Sequence, residues 1–292
     1  MPHHQKSINI TAFKGLNNVG SPENTSQEYL KKALNVDIDK TGNISKRQGY
    51  TKVDTVPYHS LWYSEQTNNC YGVRGNELGI LNPDYSWTVL DASVGPEKFS
   101  FEEIDGVVYY SSPNKNGIIE DGTKRMWGIP KVNLAPTLTI VTGNLPAGTY
   151  QVSYTYVSVS GRESGTSVSS IITVPDNSGI ELSVPSIYGS EVAFARVYCS
   201  TQNGEILYFS GICFLDGSYV ISNVTSLVSP LRTFNLDVAP LGHIVKYYRG
   251  RIYIASGNIL YYSEPFQYEF FRLNSNYIEF PTRITEVMPV ED

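Results

Sequence analysis

The chain has 292 residues, of which 41% are apolar and 17% are charged, and its 22 basic and 28 acidic residues leave a net charge of −6. This apolar content is too high for a disordered chain, and no run reaches the ~20 apolar residues that a helix needs to span a bilayer. The acidic balance argues against a nucleic-acid coat or a protein that binds anionic membranes.

Tyrosine and glycine are abundant, with 22 and 24 copies, whereas methionine and histidine are rare, with 3 and 4. Tyrosine favours a pleated, half-buried surface, and glycine beside Asn or Asp supplies tight turns. Most such dipeptides lie between short runs of Val, Ile and Tyr, as is typical of hairpins. They are Asp105-Gly106, Asn116-Gly117, Asp121-Gly122, Asn203-Gly204 and Asp216-Gly217. The sequence therefore predicts a mainly all-β fold.

Residues 1–59 are predicted to form an N-terminal segment of one short helix and one hairpin. Ser21-Pro22 is typical of a helix start, and apolar residues at helical spacing follow it, so a helix is expected at about 22–34. The turn at 39–42 predicts the hairpin that follows. The apolar residues flanking this turn are Val36, Ile38 and Ile44.

Similar strand starts recur at 69–73, 105–110 and 250–254. The first two are 36 or 37 residues apart, whereas Gly250 follows Gly106 by 144 residues. A four-stranded propeller blade takes ~40–50 residues. The repeat therefore predicts propeller-like blades over 60–135 and a further blade over 236–292, with an insertion between them.

The insertion is assigned to residues 136–235. Only 9 of these 100 residues are charged and 27 are Ser or Thr, and residues 149–156 alternate strictly between polar and apolar or aromatic side chains. We expect a small antiparallel β-sandwich of the immunoglobulin or fibronectin type. Removing its 100 residues shortens the 144-residue gap to 44, which suits one blade.

Two blades and part of a third do not close a propeller ring, which needs ~4–8. The residues Val290-Glu291-Asp292 lie in what reads as a strand-to-turn junction. We therefore expect the chain to continue beyond residue 292, with a ring completed by neighbouring subunits as the alternative.

Residues 37–48 partly match a calcium-binding loop, with oxygen-bearing side chains at its positions 1, 3 and 5 and Gly42 at position 6. However, Gln48 stands at position 12, where the loop needs a bidentate Glu, and position 5 is the neutral Thr41. A plain hairpin is the favoured interpretation.

No catalytic, cofactor or metal site is predicted, and the protein is not expected to be an enzyme. Gly161–Gly165 has no nearby base and is interpreted as a hairpin tip. Glu102 and Glu103 are adjacent, so on a strand they point to opposite faces and cannot flank one glycosidic bond. The histidines and cysteines lack metal-type spacing, and the cysteines are expected to be free thiols. These residues are His3, His4, His59, His243, Cys70, Cys199 and Cys213.

Aromatic residues are dense between 247 and 271. Tyrosine clusters occur at sugar sites and protein interfaces. The favoured interpretation is that these aromatic side chains form the core of a blade, with the tyrosine hydroxyls reaching its rim. The low charge and the many tyrosines favour a surface in contact with another subunit over a free surface.

Several short motifs near the two ends of the chain form a distinctive combination. They are Phe13–Asn18, Ser21–Glu23, Ala33–Tyr50, Tyr248–Tyr253, Leu260–Phe266 and Phe280-Pro281. Over about 1–60 and 240–292 this combination resembles structural tail proteins of short-tailed bacteriophages, of the propeller-containing tail tubular or head-closure type. The family's longer chains continue past the point where this sequence ends.

The resemblance implies a hub or nozzle subunit of the virion tail, assembled in the host cytoplasm. Six copies would form a ring below the portal and adaptor, extend the DNA-ejection channel and dock tail fibres or spikes. DNA would pass through without sequence-specific binding, no membrane would be involved, and the inserted sandwich would be an outward decoration or a fibre-docking module.

The alternative function is a carbohydrate-binding or sialidase-like propeller. Sialidase blades usually carry Ser-x-Asp-x-Gly-x-Thr-Trp turns, which the nearest segments, 82–87 and 121–123, do not match. The arginine triad of a sialidase also cannot be picked out. A secreted adhesin is a third interpretation, and it is disfavoured because the first residues lack the order of a signal peptide.

Overall fold

The computed structural model describes residues 10–131, 133–185 and 191–290. Strands hold 48% of the residues and helix 1%, so the chain has the all-β fold that its composition predicts. It divides into two units, Met1–Thr55 and Val56–Asp292. In the described ranges, no helix is long and apolar enough to cross a membrane.

The first unit holds two small strand pairs. Its elements are β1 (Gly15–Leu16), a 3-10 helix (Pro22–Asn24), β2 (Tyr29–Leu30), β3 (Val36–Ile38) and β4 (Ile44–Lys46). Strands β1 and β2 are parallel, whereas β3 and β4 form the antiparallel hairpin that the turn at 39–42 predicts. The Asp39 carboxylate closes this turn, because its Oδ1 accepts hydrogen bonds from the backbone N–H groups of Thr41 (2.8 Å) and Asn43 (3.0 Å).

The predicted helix at 22–34 is wrong. Pro22–Asn24 forms only one turn of 3-10 helix, and Tyr29–Leu30 is a strand. The Thr25 hydroxyl donates to the Ser21 carbonyl at 2.8 Å. Ser and Thr side chains that bond to nearby backbone groups compete with helical hydrogen bonds, and here the ladder with β1 supplies an alternative.

The second unit begins with two four-stranded antiparallel sheets, each running in chain order. Sheet A comprises β5 (Tyr58–Ser64), β6 (Asn69–Arg74), β7 (Glu77–Leu81) and β8 (Trp87–Asp91). Sheet B comprises β9 (Ser100–Ile104), β10 (Val107–Ser111), β11 (Asn116–Glu120) and β12 (Thr123–Arg125).

Seven strands follow in two further sheets. They are β13 (Thr137–Leu145), β14 (Gly148–Ser158), β15 (Ser170–Val174), β16 (Ser178–Ser183), β17 (Val192–Ser200), β18 (Leu207–Phe214) and β19 (Ser218–Ile221). Sheet C has the order β13-β16-β19, and sheet D has the order β15-β14-β17-β18. Strand β14 shows how the two share a core: Tyr150, Val152, Tyr154 and Tyr156 are buried among side chains of both sheets, while Thr155 lies on the other face.

The last sheet, sheet E, is again antiparallel. It comprises β20 (Ile244–Tyr248), β21 (Arg251–Ser256), β22 (Ile259–Glu264), β23 (Gln267–Phe271) and β24 (Tyr277–Glu279). The first four strands run in chain order, and β24 pairs with β22.

Sheet B is covered on both faces. Val108 and Tyr110 pack in a cluster with sheet A, whereas Tyr109 between them packs in a cluster with sheet E. This alternation follows from the period of two along a strand. Sheets A, B and E are therefore stacked in that order, with a hydrophobic layer at each contact.

Serine side chains link the first strands of these three sheets. The Ser60 Oγ on β5 accepts a hydrogen bond from the N–H of Phe99 beside β9, at 2.9 Å. The Ser100 Oγ on β9 accepts one from the N–H of Val245 on β20, at 3.0 Å. The first strands of neighbouring sheets thus lie side by side.

A buried carboxylate links the far ends of sheets A and B. Asp91, at the end of β8, is 9% exposed and lies 2.7 Å from the Lys115 ammonium and 2.9 Å from that of Lys124. Burial opposes ionisation of Asp91, but the hydrogen bonds from the two lysines outweigh it and lower its pKa. The pair of lysines thus keeps this carboxylate charged at the contact between the sheets.

The segments before and after sheets C and D both pack on sheet E. The Trp127 indole N–H donates to the Tyr268 carbonyl at 2.8 Å. Asp237 and Phe271 exchange two backbone hydrogen bonds of 2.8 and 2.9 Å. These contacts fix where sheets C and D leave the stack.

Candidate functional site

The paired glutamates of β9 do not form a site. Glu103 accepts a hydrogen bond from the Ser64 hydroxyl at 2.6 Å, whereas Glu102 lies 3.6 Å from the Lys246 ammonium on sheet E. Their side chains therefore point to opposite faces of sheet B, as the alternation predicts. Burial raises the pKa of Glu102, and the charge of Lys246 opposes that rise.

The loop with partial calcium-type spacing is occupied by its own contacts. Asp37 pairs with Arg47 at 3.1 Å, and Asp39 closes the turn of the hairpin. Hydrogen bonds from Thr41 and Asn43 lower the pKa of Asp39 to about 2. Within the described residues, no group of three His, Cys, Asp or Glu side chains could hold a metal ion.

The three cysteines are free thiols, as their spacing predicts. Cys199 is fully buried, and burial raises the pKa of its thiol to about 12. Burial also raises the pKa of Cys70 and Cys213. A thiol with a raised pKa is a poor nucleophile, because the thiolate is the reactive form.

The aromatic residues of sheet E divide between core and surface. Phe271, Tyr247 and Tyr268 belong to the cluster between sheets B and E. Tyr253 and Tyr262 instead contact each other outside it, with ring centroids 6.1 Å apart. The expectation that these aromatic residues form a core is therefore confirmed for only part of the aromatic cluster.

Gly161–Gly165 lies in the connection between β14 and β15 and directs two charged side chains into different networks. Arg162 contacts Glu191 at 2.8 Å, Glu269 on sheet E at 3.0 Å and the Met126 carbonyl at 3.0 Å. Because its side chain is only 18% exposed, Arg162 acts as a buried tie between this loop and sheet E.

Glu163 organises the outer face of sheet D. Its Oε1 accepts hydrogen bonds from the hydroxyls of Thr155 and Tyr198, both at 2.6 Å, and its Oε2 lies 2.7 Å from Nη1 of Arg196. Thr155 and Arg196 are directly paired across β14 and β17, which explains why they share a face. Burial and the Glu163 carboxylate raise the pKa of Tyr198, so its hydroxyl remains a donor.

A pocket of about 420 Å³ opens beside this network. Its lining residues are Glu163, Arg196, Tyr198, Phe209, Val228, Ser229, Pro230 and Arg232. We call it the arginine pocket. Two arginines and one glutamate give its wall a formal charge of +1, so the pocket favours an anionic group.

The segment at 228–232 forms one wall of the arginine pocket because it pairs with the edge of sheet D. The N–H of Phe209 donates to the Ser229 carbonyl, and the N–H of Leu231 donates to the Leu207 carbonyl, both at 2.8 Å. The Arg196 guanidinium lies 5.9 Å from the centroid of the Phe209 ring, in cation–π geometry. The pocket thus combines an aromatic wall with cationic donors.

Arg232 makes no hydrogen bond or ion pair with any residue that the structure describes, and it is exposed. The sequence does not identify the arginine pocket, because its residues are spread from 163 to 232 and only the pairing of β14, β17 and β18 brings them together. One signal was available: residues 136–235 contain only three basic side chains, and two of them line this pocket.

Comparison of the chain with protein-family models and with curated proteins finds no match. Its function is therefore inferred from its own residues and geometry.

Proposed function

We propose that this protein is a structural subunit of a short bacteriophage tail, in a hub or nozzle ring below the portal and adaptor. The observation that carries the proposal is the stack of sheets A, B and E. Sheets A and B, and the first four strands of sheet E, are antiparallel meanders in chain order, and the first strands of successive sheets are linked by Ser60 and Ser100. The terminal motifs that resemble tail proteins supply the biological setting.

The stack supports an interpretation of sheets A, B and E as propeller blades. Blades pack face to face around an axis, with their innermost strands closest together. The strands linked by serine hydrogen bonds, β5, β9 and β20, occupy that inner position in this interpretation.

Sheets C and D are interpreted as an immunoglobulin-like sandwich inserted between two blades. They are two antiparallel sheets of three and four strands that share one core, as such sandwiches do. The chain enters and leaves them beside sheet E, through Trp127 and Asp237. Such a module projects from the ring and is the part that we assign to docking fibres or spikes.

Subunit contact is supported by the outer face of sheet A. Leu61, Tyr63 and Val89 are 50%, 54% and 46% exposed on it. Leu61 lies over Gly72, which has no side chain to displace it. Head-to-tail contacts of one surface with a different surface on the next copy close into a ring when the rotation allows it. A basic channel wall would retain DNA, because its Lys and Arg side chains release the counterions condensed on the phosphates. A mildly acidic wall avoids this binding and lets the DNA pass.

The mass of the full chain in solution tests the proposal. Light scattering and native mass spectrometry are applied to the chain alone and then mixed with a purified adaptor ring, with an unrelated β-sandwich protein of similar mass as the control. We expect a closed ring of several copies, formed alone or only on the adaptor. A strict monomer that binds the adaptor no better than the control protein does would refute a ring subunit.

A further inference from the structure

We propose that the arginine pocket binds a carboxylate-bearing saccharide of the uronic acid type. This inference rests on the pocket's own side chains and does not require the ring function, so either can fail without the other.

Two guanidinium groups supply the donors. Arg232 has no partner among the described residues, and Arg196 contacts Glu163 through its Nη1 atom. A guanidinium presents N–H groups in a planar fork that matches the two oxygens of a carboxylate. Both arginines line the same cavity, so a carboxylate bound in it can receive hydrogen bonds from either guanidinium.

The negative charge of Glu163 does not cancel the preference of the arginine pocket for an anion. Its two oxygens already accept bonds from Thr155, Tyr198 and Arg196, and its side chain is only 16% exposed. Its charge is therefore matched by Arg196, which it also holds in place over the Phe209 ring. The charge of Arg232 remains as the excess that attracts an anion.

The strand edge favours a saccharide over an acidic peptide. A peptide commonly binds a sheet edge by adding backbone hydrogen bonds. At the arginine pocket, Ser229 and Leu231 already occupy the bonding positions of Phe209 and Leu207, and Pro230 between them has no N–H to offer. An extended peptide thus finds no free ladder at this wall.

The size and the lining of the cavity also suit a sugar ring. Phe209 and Val228 give the lining an apolar part, and amphipathic ligands use such a surface together with a few placed donors. The volume of about 420 Å³ lies near the small end of the range for ligand pockets, which is roughly 300–1,000 Å³. A mono- or disaccharide acid therefore matches both the size and the charge of the pocket.

Isothermal titration calorimetry on the full chain at low salt tests the assignment. The probes are digalacturonate and its neutral counterpart galactobiose. We expect digalacturonate to bind at least about tenfold more tightly, because charge-assisted hydrogen bonds are lost with the neutral sugar.

Arg232→Gln removes the unpartnered guanidinium and should weaken digalacturonate binding about tenfold. Arg283→Gln is the matched control, because Arg283 is an exposed arginine outside the arginine pocket and the substitution removes the same charge. Arg196→Lys is a second variant: it keeps a cation beside Glu163 but loses the planar fork, so binding should weaken while the thermal melt is retained.

Equal binding of the two disaccharides, or equal loss in both Gln variants, would overturn the proposal. Binding of a glutamate-rich peptide as tight as that of digalacturonate would also overturn it, in favour of a peptide site. Competition by inorganic phosphate at the same concentration as digalacturonate would replace it with a general anion site.

Discussion

Replacing Arg162 by Met tests whether the buried ion cluster holds the Gly161–Gly165 loop on sheet E. Methionine is also long and unbranched, so much of the packing is retained while the charge is removed. The substitution leaves Glu191 and Glu269 without their shared cation, which they contact at 2.8 and 3.0 Å. It also removes the bond to the Met126 carbonyl at 3.0 Å.

The expected cost follows from the burial of the three side chains. Arg162 is 18% exposed, and Glu191 and Glu269 are 29% and 23% exposed. Removing one partner of a fully buried ion pair costs about 3–5 kcal/mol. Because solvent still reaches part of each carboxylate, we expect about 3 kcal/mol in the free energy of local opening. That value corresponds to roughly 100-fold faster exchange of the amides it protects.

Hydrogen exchange followed by mass spectrometry measures this opening in peptides that cover 126–130 and β23. The matched control is Arg272→Met, since Arg272 is 38% exposed and pairs with Glu264 at 2.9 Å. An ion pair with this much solvent exposure contributes about 0–1 kcal/mol to stability. Equal exchange rates in the two variants would show that the cluster does not hold the loop.

The pH dependence separates loss of charge from loss of packing. Burial raises the pKa of Glu269, and Arg162 opposes that rise, so removing Arg162 raises the pKa further. A carboxyl whose folded pKa is raised destabilises the fold when ionised and ceases to do so once protonated. The difference in protection between Arg162→Met and wild type should therefore shrink from pH 7.5 to pH 5. A difference that does not change with pH would refute the electrostatic explanation.

Three further results are expected. Gly165→Ala drives its Cβ into the Leu236 carbonyl oxygen, so it should lower the free energy of unfolding in urea by about 1–3 kcal/mol. An unchanged urea midpoint would contradict this close approach. Asp91 has a lowered pKa, so its stabilisation is fully present above the usual carboxyl range and is lost as the pH falls through its folded pKa. Asp91→Asn should therefore lower the melting temperature at pH 7, and the difference from wild type should shrink as the pH is lowered below the usual carboxyl range. Iodoacetamide should label the partly exposed Cys70 before the buried Cys199, and labelling of both at one rate in the folded protein would contradict that burial.

Several structural features that depend only on neighbouring residues were predicted correctly from local sequence patterns. The alternation along β9 placed Glu102 and Glu103 on opposite faces, and the turn at 39–42 predicted its hairpin. The prediction of a helix at 22–34 was wrong for a reason that lies outside the local pattern. Parallel pairing with β1 holds Tyr29–Leu30 in a strand, and no periodicity within the segment indicates that partner.

The arginine pocket shows the same limit at longer range. Glu163 and Arg196 meet because β14 pairs with β17, and Phe209 joins them because β18 pairs with β17. Arg232 enters through a segment that adds to the edge of sheet D. Sequence alone could mark these arginines as rare charges in a weakly charged region, but it could not place them around one cavity.

The sequence by itself determined the all-β class, most of the turns and the alternation of faces, because these depend on the intrinsic preferences of neighbouring residues and on a period of two. One predicted turn was wrong: Asn116-Gly117 lies within β11, because the turn that precedes this strand is closed one step earlier, by the hydrogen bond from the Ser112 N–H to the Lys115 carbonyl. Only the tertiary structure decided that sheets A, B and E stack in that order, that Arg162 ties the loop to sheet E, and that two arginines share a cavity. Those contacts join residues up to 145 positions apart, as Ser100 and Val245 are. Such pairs are set by the packing of whole sheets, in which the burial of apolar faces and the satisfaction of buried polar groups select one arrangement.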